Sequence, residues 1–208
     1  MPPTLDEEKR LLEMGLLPAA GLDEVGRGCW AGPLVAAAVV LPVEELALCP
    51  ELLAGVDDSK RLSAGRRQAL AGRIYEVALG VGIGEVSPAL VDALGILRAT
   101  ALAMRRALAR LPLSPRFLLV DGRLALDLPL PQRPLIRGDA RCLSIAAASI
   151  VAKVHRDRLM LAWAGRYPRY GFEKHKGYGT AGHRQALERW GPCPLHRRSF
   201  APVQALLR

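Results

Sequence analysis

The apolar run Leu34 to Leu41, fenced by Gly32-Pro33 on one side and Pro42 on the other, constrains this chain most. It is short and valine-bearing, and so reads as a buried strand. Leu16 to Asp23 supplies an antiparallel neighbour. Ser63 caps a helix running to about Ala78, with Leu70, Ile74 and Val77 on one stripe and Arg66, Arg67 and Arg73 largely on another. Val81 to Val86 reads as a third strand, weakened by its glycines. Ser87-Pro88 starts a helix, and Ile96 to Leu111 has the composition of a long one. Phe117 to Val120 is another buried strand, ending at Asp121-Gly122, and Leu135-Ile136 a short fifth before Gly138-Asp139. Cys142 to about Trp163 is the strongest helix, Ala-rich and free of proline and glycine. This order predicts an α/β fold, a mixed central sheet flanked by helices with a helical C-terminal part.

The 208 residues fit one domain with a core over about 18–163 and a C-terminal part over about 164–208. Half are hydrophobic, which excludes a disordered chain. No apolar run reaches the roughly 18 residues that suggest a membrane span, and Met1 to Arg10 lacks a signal-peptide layout. Cys29, Cys49, Cys142 and Cys193 form no C-x-x-C pair and have no zinc-like spacing to histidine, as expected of reduced thiols in a cytoplasmic protein. Lysine and arginine number 29 against 20 acids, a net charge of +9 that points to a polyanionic partner.

The segment Gly21-Leu22-Asp23-Glu24-Val25-Gly26-Arg27-Gly28 puts two carboxylates ahead of a glycine-flanked arginine. The acids are hard ligands of the kind Mg²⁺ and Mn²⁺ prefer. The glycines let a partner approach the main chain, and Arg27 offers a donor fork suited to phosphate. Alone, the segment reads as a turn after a strand, just as Asp121-Gly122 alone is a turn and Asp139 alone a helix cap. Together, the four acids sit where α/β sheets place their sites, at strand ends, and Asp139 is expected at a helix start that favours its ionised form. Clustered carboxylates raise one another's pKa, a cost divalent metals remove. Side chains alternate along a strand, so the strand is expected to end or twist at Asp23-Glu24, or Glu24 to serve a second ion. Two metals about 4 Å apart would activate water and stabilise a leaving 3′ oxygen.

Two further clusters are basic. Val56 to Leu62 places Ser59, Lys60 and Arg61 between a strand and a helix, either to grip phosphate or as a polar loop. In His175 to His183, Tyr178 lies between glycines, where its ring is free to stack on a sugar or base. Gly165 to Tyr178 is the longest irregular stretch. His175, His183 and His196 are too dispersed for zinc ligands and are read as caps or surface residues.

These residues resemble the bacterial ribonuclease HII family. The likeness runs in order from about Gly21 to Val203, through Asp23 to Gly28, Ala31-Gly32-Pro33, Asp58-Ser59-Lys60, Val120-Asp121-Gly122, Gly138-Asp139-Ala140, Ser144 to Asp157, His175 to Thr180 and His196 to Pro202. It implies a ribonuclease H-like fold and a cytoplasmic endonuclease, by default monomeric. Such an enzyme cuts RNA in RNA:DNA hybrids and incises 5′ to ribonucleotides embedded in duplex DNA, leaving 3′-hydroxyl and 5′-phosphate ends. The resemblance further implies that Asp23, Glu24, Asp121 and Asp139 hold Mg²⁺ or Mn²⁺, and that Gly26, Arg27 and Gly28 read the 2′-hydroxyl through the backbone. By the same likeness, Tyr178 packs on the sugar beside the junction, Lys60 contacts phosphate with Ser59 beside it, and Asp157 stands behind the site. Three departures are Cys29-Trp30 where Pro-Leu is frequent, Gly95 where asparagine is expected, and Arg137 for lysine. Gln204 to Arg208 lacks the paired aromatics of a sliding-clamp-binding peptide. Two other readings stay open: a DNA-structure-specific nuclease using the same acids, and a non-catalytic hybrid-binding protein in which the acids are caps.

Overall fold

A computed structural model describes residues 2–207. Five strands form one mixed sheet: β1 (Ala19–Val25), β2 (Leu34–Val40), β3 (Gly80–Val86), β4 (Phe117–Asp121) and β5 (Gln132–Leu135), in the spatial order β3-β2-β1-β4-β5. β2 runs antiparallel to both of its neighbours, β1 and β3, whereas β4 lies parallel to both β1 and β5. Every residue of β2 is buried, because both faces of the sheet are covered.

The covering helices follow from composition. On one face, Val35, Ala37 and Val39 pack against α3 (Ala64–Val77) and α6 (Leu143–Arg166); on the other, Ala36, Ala38 and Val40 meet α5 (Ile96–Leu108). Ser63 accepts a hydrogen bond from the Arg66 N–H and caps α3, and Ser87 does the same for Leu90 at the start of α4 (Pro88–Leu94). Close approach explains two glycines. A Cβ on Gly84 would collide with the Ala103 carbonyl of α5, and one on Gly21 with the Ser144–Ile145 backbone at the head of α6. Gly21 thus lets α6 press against β1 just before the paired acids.

Several boundaries depart from the sequence reading. The fifth strand lies at Gln132–Leu135, leaving Ile136 outside; as an edge strand paired only with β4, it tolerates Pro134. The long helix ends at Leu108, short of Leu111, which precedes Pro112. α6 begins at Leu143 and runs on to Arg166, into the stretch read as irregular, which also holds the short α7 (Phe172–His175). Gly95 joins α4 to α5 at φ +74°, a conformation that favours glycine. Helices α1 (Asp6–Glu13) and α2 (Val43–Leu48) were not foreseen; α8 (Ala181–Trp190) and α9 (Ala201–Gln204) complete the helical C-terminal part. Among the described residues, no helix is long and apolar enough to cross a membrane.

Candidate active site

β1 and β4 are adjacent and parallel, with Leu22 opposite Val120, so Asp23 and Asp121 stand side by side at the same end of the sheet. The Gly138 N–H donates to Asp121 Oδ1 at 2.7 Å and the Asp139 N–H to the same oxygen at 3.4 Å, which draws the turn carrying Asp139 onto Asp121. That turn is a separate 3-10 segment, Gly138–Ala140, preceding α6 rather than forming its first turn. The cation beside Asp139 is therefore Lys60, 3.3 Å from Oδ2, in place of the expected α6 terminus. β1 does not end at Asp23-Glu24; it continues to Val25.

Asp23, Glu24 and Asp121 share one cleft of about 210 Å³ with Gly28, Lys60 and Tyr178. Burial raises the Asp23 pKa well above the usual carboxylate range, and the charges of Glu24 and Asp121 add to it, against a hydrogen bond from Ser149. Burial also raises Glu24, where Arg27 opposes and Asp121 reinforces the shift. Asp121 is raised by burial and by Asp139, against the N–H groups of Gly138, Asp139 and Gly122. Arg27 lies 3.4 Å from Glu24, so two of the four acids hold a cation from the protein. Among the described residues no three acid, histidine or cysteine side chains already converge as a closed ion site. The donor set nevertheless fits a divalent ion, being all hard oxygen in a place where positive charge relieves mutual repulsion.

The remaining expected residues are distributed around this cleft. Gly26 has φ +90° and its missing Cβ leaves room for the Arg156 side chain, whereas Gly28 faces open space. Tyr178 is 40 % exposed, with Lys153 Nζ 5.7 Å and the Arg156 guanidinium 5.9 Å from its ring centre. Ser59 lines the same cleft but is only 4 % exposed, with its hydroxyl 2.9 Å from Ser149 Oγ. Asp157 binds Lys153 at 2.7 Å and lies 4.0 Å from Arg67, which places it behind the cleft among cations.

The sequence profile of the family described as Ribonuclease HII matches residues 20–203. The chain belongs to the ribonuclease HII family. A Ribonuclease HII of Chloroflexus aurantiacus is 55 % identical over 208 residues, covering 100 % of this chain and 98 % of that protein. Among solved structures, the ribonuclease H2 of Pyrococcus horikoshii OT3 superposes with TM-score 0.76 at 25 % identity, covering 90 % of this chain and 96 % of that one. A Bst ribonuclease HIII in complex with Mn²⁺ gives TM-score 0.75 at 23 % identity, covering 92 % and 70 %, a likeness of fold. The sheet and its helices are thus ribonuclease H-like, and the chain is an endoribonuclease of the ribonuclease H kind.

Two sets of residues in this chain escaped the sequence reading. The histidines read as caps or surface groups instead form a cluster: His183 and His196 are buried, and the rings of His175 and His183 stack 4.3 Å apart. Chain folding brings them together through α8 and the loop at Cys193, which no spacing rule would reveal. Arg156 and Arg197 are 0 % exposed, although arginine is rarely fully buried. Their only sequence signal was membership in the Ser144–Asp157 and His196–Pro202 segments.

Proposed function

We propose that this chain hydrolyses the phosphodiester 5′ to a ribonucleotide, both in RNA:DNA hybrids and at single ribonucleotides in duplex DNA, with Asp23, Glu24, Asp121 and Asp139 as ligands of Mg²⁺ or Mn²⁺. The observation that carries this reading is the meeting, in one cleft, of charge-crowded carboxylates with the bare, outward-facing Gly28 and the half-exposed Tyr178 ring. Divalent ions bound there would supply Lewis-acid charge to the attacking water and the leaving 3′ oxygen.

The chain's own residues do the rest. Gly28 has no side chain between its N–H and a ribose, so it donates to the 2′-oxygen that separates RNA from DNA. Tyr178 packs its ring on the adjoining sugar, held by the cations Lys153 and Arg156. Asp139 and Glu24 would hold the metal, and their cation partners Lys60 and Arg27 are placed to turn to phosphate oxygens. Ser59 acts through Ser149 to orient Asp23, and Asp157 holds Lys153. The C-terminal part, about 164–208, lies against substrate as part of a single catalytic domain; the protein works as a monomer, in the cytoplasm.

The test is incision of a duplex carrying one ribonucleotide, with Mg²⁺, with Mn²⁺ and with chelator. Metal-dependent cleavage 5′ to the ribonucleotide, leaving 3′-hydroxyl and 5′-phosphate ends, is expected. Full activity in Asp121→Asn, or none in the unaltered protein, would refute the proposal.

A further inference from the structure

We infer that Arg156 and Arg197 are positioning residues that hold the ribose-reading turn in its working shape and tie it to the Tyr178 loop. The inference rests on the reading of Gly28 and Tyr178 given above. Arg156, from α6, donates from Nε to the Pro33 carbonyl at 2.9 Å, from one terminal nitrogen to the Ala31 carbonyl at 3.0 Å, and from the other to the Lys176 carbonyl at 2.9 Å. Arg197, from the C-terminal segment, donates to the Gly32 carbonyl through Nε and a terminal nitrogen at 3.2 and 3.0 Å, and to the Arg27 carbonyl at 3.1 Å. Neither forms an ion pair among the described residues.

A buried charge without a counter-ion is expensive unless its donors are satisfied. Here two guanidiniums are kept buried and, apart from the Arg156 bond to Lys176, spend their forks on main-chain carbonyls of one short segment, Arg27 to Pro33. The consequence is a turn whose carbonyls point inward while its leading N–H groups are left free. The N–H groups of Arg27 and Gly28 find no acceptor among the described residues. The later ones are tied down: Trp30 and Ala31 donate to the Gly177 carbonyl at 2.9 and 3.3 Å, and Gly32 to that of Leu195 at 2.8 Å. Through the Lys176 carbonyl, Arg156 joins this turn to the residue two before Tyr178. The 2′-hydroxyl reader and the sugar platform are therefore one rigid unit, aligned before substrate arrives.

Geometry of this kind requires a planar fork, which lysine lacks. The decisive comparison is Arg197→Lys against the unaltered enzyme in single-turnover cleavage of duplexes carrying one 2′-hydroxyl or one 2′-fluoro nucleotide at the same position. The variant is expected to lose about tenfold or more in rate on the 2′-hydroxyl substrate. Its preference for hydroxyl over fluorine should shrink by a similar factor, with KM for the duplex within about twofold. A role confined to stability would lower both rates together and leave the preference intact, and that outcome overturns the inference. Should Arg197→Lys fail to fold, Arg156→Lys is read the same way. Hydrogen exchange of the unaltered protein without nucleic acid supplies an independent reading: the amides of Trp30, Ala31 and Gly32 should be protected like those of α6, and free exchange there would also overturn it. An unaltered enzyme that does not distinguish ribose from deoxyribose would instead sink the underlying assignment of Gly28.

Discussion

The Nε2 atoms of His183 and His196 lie 3.1 Å apart, and each histidine's other nitrogen is engaged by the backbone. His183 Nδ1 donates to the Tyr178 carbonyl at 2.9 Å, and His196 Nδ1 accepts from the Cys193 N–H at 2.9 Å. His183 is thus protonated on Nδ1 and His196 on Nε2, which donates across the gap. Only the neutral pair satisfies all three bonds.

Burial pushes both histidines down to about 4, with neighbouring histidine charge adding to the shift. The unfolded chain, near the ordinary 6.5, takes up protons first as pH falls. The stability contributed by this pair is complete above about pH 6.5 and declines toward pH 4, by about 3 kcal/mol if one histidine is counted. Thermal melts across that range should show the decline in the unaltered protein and a smaller one in His196→Asn, which carries one titrating group fewer. Identical pH dependence in the two proteins would contradict the neutral pairing of His183 and His196.

Crowded carboxylates carry a cost in the metal-free protein, so Asp23→Asn should abolish activity while raising stability. Amide Oδ1 still accepts from the Glu24 N–H, whose bond to Asp23 measures 2.7 Å. A gain of about 1 kcal/mol is expected at neutral pH in chelator. Mg²⁺ should raise the melting temperature of the unaltered protein more than that of the variant. A destabilised Asp23→Asn would argue that the acid is structural.

Gly21 and Gly28 should respond oppositely to alanine. At Gly21 the new Cβ would meet the α6 backbone, and a stability loss of about 2 kcal/mol or more is expected. At Gly28 nothing lies within 4 Å and φ is not positive. Gly28→Ala should therefore melt within about 0.5 kcal/mol of the unaltered protein. Its cleavage should nonetheless be at least tenfold slower, because the methyl stands where the ribose must approach. Full activity in a well-folded Gly28→Ala would show that the turn does not meet the substrate.

Lys60 is mostly exposed and shared between Asp139 and Asp58, at 3.3 and 4.0 Å. Under the proposed function, its removal would free acid for metal and delete a phosphate contact. Lys60→Ala should bind Mg²⁺ somewhat more tightly by calorimetry, and its duplex affinity should fall less steeply with salt, by about one unit of logarithmic slope.

The elements legible in the sequence were those whose signal is local. β2 declared itself through an apolar run between prolines, and α3 and α4 through Ser63 and Ser87, which do cap them. β5 was misplaced because Arg133 and Pro134 carry no strand signal; pairing with β4 makes it a strand. α1 is mostly charged, and its buried Glu8, which accepts from the Ser144 N–H at 2.8 Å, caps α6 from far away in sequence. At the site, the place of Asp121 at the end of its strand was legible from the apolar run before it. The use of Ser59 on Ser149, the histidine pair and the two buried arginines arise only from tertiary closure. An arginine destined to bind carbonyls reads in sequence like one destined for solvent.

In the proposed function, one turn places a ribose sensor beside metal-binding acids. The most direct measurement is product mapping on paired duplexes that differ only in one 2′-hydroxyl, incubated with Mg²⁺ or Mn²⁺ beside a branched all-DNA substrate. A single incision, 5′ to the ribonucleotide, with the all-DNA strands intact, is expected. Equal cutting of the deoxy duplex or the branched substrate would contradict it.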